Sequence, residues 1–314
     1  MKKIFCVGEL LIDFVAEKQG SDLSKAKEFT KKAGGAPANV ACAISRLGGN
    51  SFFIGSVGDD PFGHFLTAVL KKTNVDMSLL QLSKTFTTLA FVSLAENGER
   101  DFVFSRGADK ELTYDLSVKN LIEGNMLHLG AATSFLGGAL ENTYSRYFFD
   151  ALTHDTFISF DPNYRGDLWK DNNDTFIKKC MPFIEKSHLC KFSAEEAQLI
   201  SGKDDLNEAC DFLHGLGTKI ITVTLGGEGT LLSTPSTKQI IPSIKVIPLD
   251  TTGAGDAFIG CLLYQISKLE DPNSIFENTS VLVEMIKLAN KAGAITTTNY
   301  GAIESLPTLN QLQH

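Results

Sequence analysis

Residues 250–263 read DTTGAGDAFIGCLL and place an acid directly after a turn of small residues. The apolar residues after Asp256 recur at helical spacing, which predicts a buried helix. Gly253, Ala254 and Gly255 then lead into the N-terminus of that helix, where free N–H groups and the helix dipole favour an anion. We expect this helix end to keep Asp256 ionised at neutral pH. An anion-binding turn beside a carboxylate that accepts a hydroxyl proton suits phosphoryl transfer, whereas simple helix capping by Asp256 is the alternative.

A second glycine turn precedes a helical pattern in KKAGGAPANVA, residues 31–41. Pro37 is typical of a first helical turn. Gly34 and Gly35 allow a ligand to approach the backbone closely, and the Asn39 amide can both donate and accept hydrogen bonds. This stretch therefore indicates either a binding turn or an ordinary helix start.

Polar residues also follow two of the predicted strands. Asp13, in GELLIDF, either accepts hydrogen bonds from sugar hydroxyls or is a solvated loop acid. In FDPNYRGDLW, residues 160–169, three polar residues fall within five positions: Asp161, Asn163 and Arg165. Arg165 either grips a phosphate or sugar oxygen or forms an ion pair with Asp161.

Short apolar runs that alternate with helical patterns must position these residues. Strands are predicted at residues 4–7, 51–58, 126–130, 157–161, 189–193 and 220–226. Strands separated by helices predict an α/β fold with a mostly parallel, doubly wound sheet, in which ligands bind at the carboxyl ends of the strands. Residues 9–32 and 85–106 do not follow this alternation of strands and helices. In the second segment apolar and polar residues alternate on both sides of an ENGE turn, which predicts a hairpin. We expect one domain, 1–314, with a small lid of antiparallel strands inserted at about 13–33 and 85–108.

Composition excludes several functions. The formal net charge of −8 argues against nucleic acid or an anionic membrane surface as a partner. The six cysteines form no C-x-x-C pair and are expected to be buried free thiols in a reducing cytoplasm. The N-terminus is predicted to be a strand and not a signal peptide, and no apolar stretch is long enough for a membrane span. No P-loop or protein-kinase motif set is present.

Several stretches together resemble the ribokinase-like, or phosphofructokinase B-type, carbohydrate kinases. GGAPANVA and DTTGAGDAF look like the two signatures of that family, and the similarity continues through GSVGDDPFG, FSRGAD, VTLGGEG and AGAITTTNYGAIESLP. The resemblance covers nearly the whole chain. It implies a three-layer α/β/α sandwich with a small β lid over the sugar, and it implies ATP with a divalent cation.

The resemblance also implies residue roles. Asp256 would be the catalytic base, and the amides of Gly253, Ala254 and Gly255 would form the anion hole. The sugar-binding set would be Asp13, Gly34, Gly35, Asn39, Arg106, Asn163 and Arg165. The nucleotide set would be Lys191, Thr224, Gly226, Gly229 and Asn290. Glu196 would hold Mg²⁺ through water, although Ser193 replaces the asparagine of the family's N-x-x-E motif, and Asp250 and Thr252, with the loop around Gly301, would bind K⁺.

The stretches GELLIDF, SRGAD and DPNYRGDLW look most like the fructokinases of this family. The expected reaction is ATP-dependent phosphorylation of a primary hydroxyl, O6 of fructose. A 2-keto-3-deoxygluconate kinase, or another sugar or nucleoside kinase of the family, is the alternative substrate class, although an acid sugar needs more positive charge around the site. A sugar sensor without catalytic activity is the alternative of a different class. We further expect a cytoplasmic protein that pairs as a homodimer through the lid.

Overall fold

The computed structural model describes residues 1–17, 20, 22–94, 100–170 and 172–313. Its strands are β1 (Lys3–Val7), β2 (Leu11–Ala16), β3 (Phe29–Gly34), β4 (Asn50–Gly58), β5 (Leu80–Ser83), β6 (Leu89–Leu94), β7 (Arg100–Ser105), β8 (Met126–Gly130), β9 (Phe157–Asp161), β10 (Leu189–Ser193), β11 (Ile220–Thr224), β12 (Thr230–Thr234) and β13 (Thr237–Ile241). Its helices are α1 (Ala36–Arg46), α2 (Pro61–Lys72), α3 (Ser117–Ile122), α4 (Ala139–Leu152), α5 (Gly166–Trp169), α6 (Asn173–Lys186), α7 (Ala194–Ser201), α8 (Leu206–Leu216), α9 (Ala254–Ile266), α10 (Thr279–Thr296), α11 (Ala302–Ser305) and α12 (Leu309–Gln313).

Nine of the strands form one large sheet in the order β13-β12-β11-β10-β9-β8-β1-β4-β5. The pairs from β5 to β11 are parallel, whereas β12 and β13 extend the edge as antiparallel strands. The predicted mostly parallel sheet is therefore confirmed, and β5, β12 and β13 are additions that the sequence pattern did not predict.

Both faces of the large sheet are covered, as the near-continuous apolar strands require. Alternate residues of β1 enter two different cores, because successive side chains of a strand point to opposite faces. Ile4 and Cys6 pack with α1, α2, α9 and α10, whereas Phe5 and Val7 pack with α3, α4, α6 and α8. These layers confirm the α/β/α sandwich.

A second sheet of four strands has the order β3-β2-β6-β7. Strands β6 and β7 pair antiparallel, as the hairpin prediction requires, and the predicted ENGE turn between them lies outside the described residues. One expectation was wrong: β2 and β6 pair parallel. Each of them follows a parallel strand of the large sheet, β1 or β5, so both leave the same edge in the same direction.

All six cysteines are free and buried, as expected. Within the described ranges, no helix combines the length and apolar character that crossing a membrane requires.

Candidate active site

A cavity of about 810 Å³ lies between the carboxyl edge of the large sheet and the inner face of the small sheet. Glu9 follows β1, Thr133 follows β8, Asn163 follows β9 and Ser193 ends β10, so four neighbouring parallel strands contribute to its wall. The small sheet contributes Leu11, Asp13, Val15, Thr30, Lys32, Ala90, Val92, Phe102 and Phe104. The cavity is therefore at the sheet edge where the sequence analysis expects a ligand.

Asp256 lies in the first turn of α9, and only 8 % of its surface is exposed. The N-cap residue of this helix is Gly253, with φ +79°, and no side chain caps the helix. Among the described residues the Ala254 amide donates to the Thr251 carbonyl at 3.3 Å, and the first-turn amides have neither an intrahelical acceptor nor a side-chain cap. The Asp256 carboxylate is held differently, because its Oδ2 accepts a hydrogen bond of 2.8 Å from Asn39 Nδ2. This geometry does not match the helix-capping alternative.

The pKa of Asp256 depends on more than the helix end. Burial raises the pKa of Asp256 above its ordinary value, and the nearby charge of Asp161 raises it further. The hydrogen bond from Asn39 and the charges of Lys191 and Arg165 act in the opposite direction but do not outweigh burial. The helix end therefore does not by itself decide the charge of Asp256, and a carboxylate of raised pKa is the stronger proton acceptor.

Residues of the predicted sugar-binding turn surround Asp13. Asp13 lies on β2 and lines the cavity, and burial raises its pKa to about 6 against the lowering influence of Arg165. A side chain on Gly34 would collide with the Asp13 carboxylate, and Gly35, with φ +110°, packs against the backbone of Glu9. Both positions therefore require glycine for close packing.

Asn39 lies in α1, one turn after Gly35, and is 5 % exposed. Its Nδ2 binds Asp256, whereas its buried Oδ1 has no hydrogen-bond partner among the residues that the structure describes. Asn39 lines the cavity, so this oxygen is an acceptor available to a ligand hydroxyl.

Asn163 and Arg165 also line the cavity. Asn163 is 4 % exposed, has φ +51° and donates its backbone N–H to Asp161 Oδ1 at 3.2 Å. Arg165 is exposed, and its Nη1 donates to the Tyr164 carbonyl at 3.1 Å. The alternative ion pair between Arg165 and Asp161 is not what the structure contains, because Asp161 Oδ2 lies 3.0 Å from Lys191 Nζ.

Arg106 is not among the residues that line the cavity. Its guanidinium donates to Asp109 Oδ2 at 3.0 Å and to the carbonyls of Leu136 and Thr133 at 2.7 and 3.1 Å. These bonds connect the end of β7 to the loop after β8. The predicted contact of Arg106 with sugar or phosphate has no support from this placement.

Of the predicted nucleotide residues, Lys191 lines this cavity, and the other four lie further along the large sheet. Thr224 ends β11, and its hydroxyl donates to the Phe192 carbonyl at 3.3 Å. Gly226 and Gly229 flank the turn into β12, with φ +58° and +112°. Asn290, on α10, donates to the Ile241 carbonyl at 2.8 Å and accepts from the Thr230 hydroxyl at 2.6 Å.

The predicted metal residues form two separate groups. Glu196 is buried at the start of α7, where its two carboxylate oxygens accept from the amides of Ser193 and Tyr164, both at 2.7 Å. Ser193 completes a capping box by accepting from the Glu196 amide at 3.1 Å. Asp250 accepts from the amides of Thr252 and Gly301, both at 2.9 Å, so the residues of the predicted K⁺ site do meet.

Glu9 is a residue of the site whose place the sequence did not reveal. It is 1 % exposed and lines the cavity, and its carboxylate accepts from the Ala36 amide at 3.0 Å and from the Thr133 hydroxyl at 3.4 Å. Burial raises its pKa to about 7. The available signal was an acid directly after a buried strand. Lys32 was also missed, and its Nζ would lie 3.3 Å from a Cβ placed on Gly301.

Comparison with known proteins agrees with this architecture. The family model for the pfkB family carbohydrate kinases matches residues 1–309. Fructokinase-1 of Zea mays is 40 % identical over 306 residues, which are 96 % of this chain and 93 % of that protein. The chain belongs to the PfkB family of carbohydrate kinases.

Solved structures of two kinases match over nearly the whole chain. The fructokinase of Vibrio cholerae O395, in its fructose-, ADP- and calcium-bound form, matches with a TM-score of 0.86 and 33 % identity, covering 100 % of this chain and 98 % of that one. Aminoimidazole riboside kinase from Salmonella enterica, complexed with aminoimidazole riboside and an ATP analog, matches with a TM-score of 0.84 and 28 % identity over 99 % and 98 % of the two chains.

Proposed function

We propose that the protein is an ATP-dependent fructokinase that transfers the γ-phosphoryl group to O6 of fructose. The observation that carries this proposal is the hydrogen bond of 2.8 Å between Asn39 and Asp256. It joins the glycine turn that leads into α1 to the anion-binding turn (residues 253–255) that leads into α9. The base is thereby held where a sugar hydroxyl and a phosphoryl group can meet. The fructokinases among the relatives support fructose as the acceptor.

The charge of the cavity supports a neutral sugar over the acid sugar of the alternative. Its basic lining residues are Lys32, Arg165 and Lys191, and Lys191 is already paired with Asp161. Its acidic lining residues are more numerous: Glu9, Asp13, Glu17, Asp167, Glu195, Glu196, Asp250 and Asp256. A sugar carboxylate would have Lys32 and Arg165 as its remaining cationic partners, whereas the hydroxyl groups of fructose can donate to the many carboxylates.

The mechanism follows from the positions of these groups. Asp13 and the free Oδ1 of Asn39 accept hydrogen bonds from sugar hydroxyls and orient the primary hydroxyl toward Asp256. Asp256 takes the proton of that hydroxyl as its oxygen bonds to the γ-phosphorus and the bond between the γ-phosphorus and the β–γ bridging oxygen breaks, releasing ADP. The amides of residues 253–255 hold the charge on the transferred group.

The proposed reaction needs ATP and cations, and residues of the chain are available for each. Lys191, Thr224, Gly226, Gly229 and Asn290 are proposed for ATP. The buried Glu196 carboxylate already accepts two amide bonds, so it fits a cation held through water, as Mg²⁺ prefers. Mg²⁺ held there would supply positive charge that offsets the charge of the phosphates. Asp250 and Thr252, beside Gly301, supply oxygen atoms of the type that binds K⁺.

The small sheet is proposed to act as a lid on a single domain. Its inner face lines the cavity, and its two segments correspond to the inserts expected at about 13–33 and 85–108. On its opposite face, Phe14 stacks on Phe91 with ring centroids 5.1 Å apart, and Val103 of the edge strand β7 is 52 % exposed. Phe14 also packs edge-on against Phe62 of α2, with ring centroids 5.6 Å apart, so the exposed edge at β7 is the part of this face that supports the proposed homodimer. Six free buried thiols support a cytoplasmic location.

A sugar panel tests the proposed function. ADP release is measured with ATP and Mg²⁺ and with fructose, 2-keto-3-deoxygluconate, ribose or adenosine as acceptor. We expect the highest kcat/KM with fructose and fructose 6-phosphate as product. Faster turnover of 2-keto-3-deoxygluconate would contradict the proposed substrate. Sugar binding without ADP release for any acceptor would instead favour the sensor.

A further inference from the structure

A buried ion pair lies directly behind the anion-binding turn. Asp161 Oδ2, at the end of β9, lies 3.0 Å from Lys191 Nζ, on the neighbouring strand β10. The side chains of Asp161 and Lys191 are 0 % and 9 % exposed. Burying two charges costs desolvation free energy that apolar residues of similar volume would avoid. The pair is therefore weak evidence of a purely stabilising role.

The Lys191 side of this pair lies beside Gly255, in the anion-binding turn. A Cβ placed on Gly255 would lie 3.2 Å from Lys191 Nζ and 3.5 Å from its Cε. The ammonium group therefore extends from β10 to the first turn of α9, and Lys191 lines the cavity. Asp161 does not line the cavity, so it can act on a ligand only through its neighbours.

The charges around Asp256 alternate in sign. Lys191 and Arg165 lower the pKa of Asp256 and Asp161 raises it, while Asn39 supplies the neutral hydrogen bond. Burial alone would lower the pKa of Lys191, but the charges of Asp161, Glu196 and Asp256 raise it. Lys191 is therefore a cation near three carboxylates, and Asp161 is the one that pairs with it directly, at 3.0 Å.

We propose that Asp161 is a positioning residue that holds the Lys191 ammonium at the anion-binding turn, where the ammonium stabilises the phosphoryl group during transfer. The inference rests on the proposed phosphotransfer. A competing role is purely structural, because Asp161 Oδ1 also accepts from the Asn163 amide at 3.2 Å and so shapes the turn after β9. The test has to separate these two roles.

Three variants separate the positioning role from the structural role: Asp161→Asn, Lys191→Met and the double variant. Asparagine keeps an acceptor for the Asn163 amide but removes the negative charge, and methionine keeps the apolar length of lysine. The profile of kcat against pH, at saturating fructose and ATP, is measured for each, because kcat/KM would also report the proposed sugar-binding carboxylate Asp13. The acid limb is the low-pH side of this profile, where protonation of Asp256 stops the reaction. Loss of the Lys191 charge should raise the pKa of Asp256 and move this limb to higher pH, and loss of the Asp161 charge should move it to lower pH.

We expect kcat to fall about 10²–10³-fold in Lys191→Met, because a charge aimed at the transition state is lost. Asp161→Asn should fall less. The double variant should be about as slow as Lys191→Met, because Asp161 supports phosphoryl transfer through Lys191. Its acid limb should return toward wild type, because the two charges that shift the pKa of Asp256 in opposite directions are both removed. The double variant also leaves neither member of the pair charged, so it keeps the proposal testable where a single variant folds poorly.

Lys179→Met is the matched control. Lys179 pairs with Glu141 at 2.7 Å on the helical layer, away from the cavity. The Lys179→Met variant should be less stable than wild type, but its acid limb should not move. Limb shifts of the same sign in Asp161→Asn and Lys191→Met, or a double variant with wild-type kcat, would overturn the proposal. Wild-type protein that fails to phosphorylate fructose would instead overturn the proposed function.

Discussion

Asp256 and Asn39 are 217 positions apart in the sequence, and one hydrogen bond joins them. This bond fixes the rotamer of the base and leaves Asn39 Oδ1 as an acceptor inside the cavity. At the scale of single residues, the proposed roles of Asn39 and Asp256 would couple sugar binding to the orientation of the base.

Asp13 gives a prediction at this scale. Because burial raises its pKa to about 6, the KM for fructose should rise as pH falls through that value and the carboxylate is lost as an acceptor. Asp13→Asn should raise KM about 10- to 100-fold, the worth of a hydrogen bond to a charged group. Steady-state kinetics between pH 5 and 8 test this, and an unchanged pH dependence of KM in Asp13→Asn would contradict the assignment.

Helix α9 is the element on which the phosphoryl chemistry depends. Its N-cap residue Gly253 has φ +79° and packs against α11, where a Cβ would lie 2.7 Å from the Cβ of Ala302. Helix α11 thus packs against the anion-binding turn. This packing explains why a non-glycine residue does not suit the turn.

The comparison of Gly253→Ala with Gly202→Ala tests this packing. Gly202 ends α7 with φ +67° and has no described atom within 4 Å of its Cβ position. Gly202→Ala should therefore lose only the conformational cost of about 1–2 kcal/mol. Gly253→Ala should lose more in urea unfolding, and its kcat should fall. Equal losses of stability with normal kcat would show that the turn tolerates a side chain.

At the scale of the whole molecule, two sheets close around one acidic cavity, and Glu9 lies at their junction. Its carboxylate holds the first amide of α1 and the loop after β8 together. Burial raises its pKa from 4.5 to about 7, although the Ala36 amide lowers it. The folded protein therefore binds this proton more tightly than the unfolded chain does.

The stability of Glu9→Gln relative to wild type should consequently depend on pH. The raised pKa contributes stability that is present below about pH 4.5 and is lost as pH rises through about 7. Over that range wild type should lose up to about 3 kcal/mol relative to Glu9→Gln. Denaturant unfolding of both proteins at pH 5, 6, 7 and 8 measures this difference. A difference that stays constant with pH would show that Glu9 is not buried as a proton-binding group.

Much of this architecture was readable from the sequence because buried parallel strands appear as short apolar runs. The runs that became β1, β8, β9 and β10 were predicted, and so was the glycine turn before α9. Contacts between distant residues were not readable. Glu9 meets Ala36 and Thr133, and Asp161 pairs with Lys191 in place of Arg165, only after the sheet has formed. The raised pKa of Asp256 likewise comes from burial that no local pattern displays.

The most direct test of the account is the turnover of Asp256→Asn with saturating fructose and ATP·Mg²⁺. Asparagine preserves the size of the side chain but cannot take the hydroxyl proton. We expect kcat to fall about 10²–10⁴-fold while the KM for fructose changes by no more than about threefold. Near-normal kcat in this variant would contradict the assignment of Asp256 as the base.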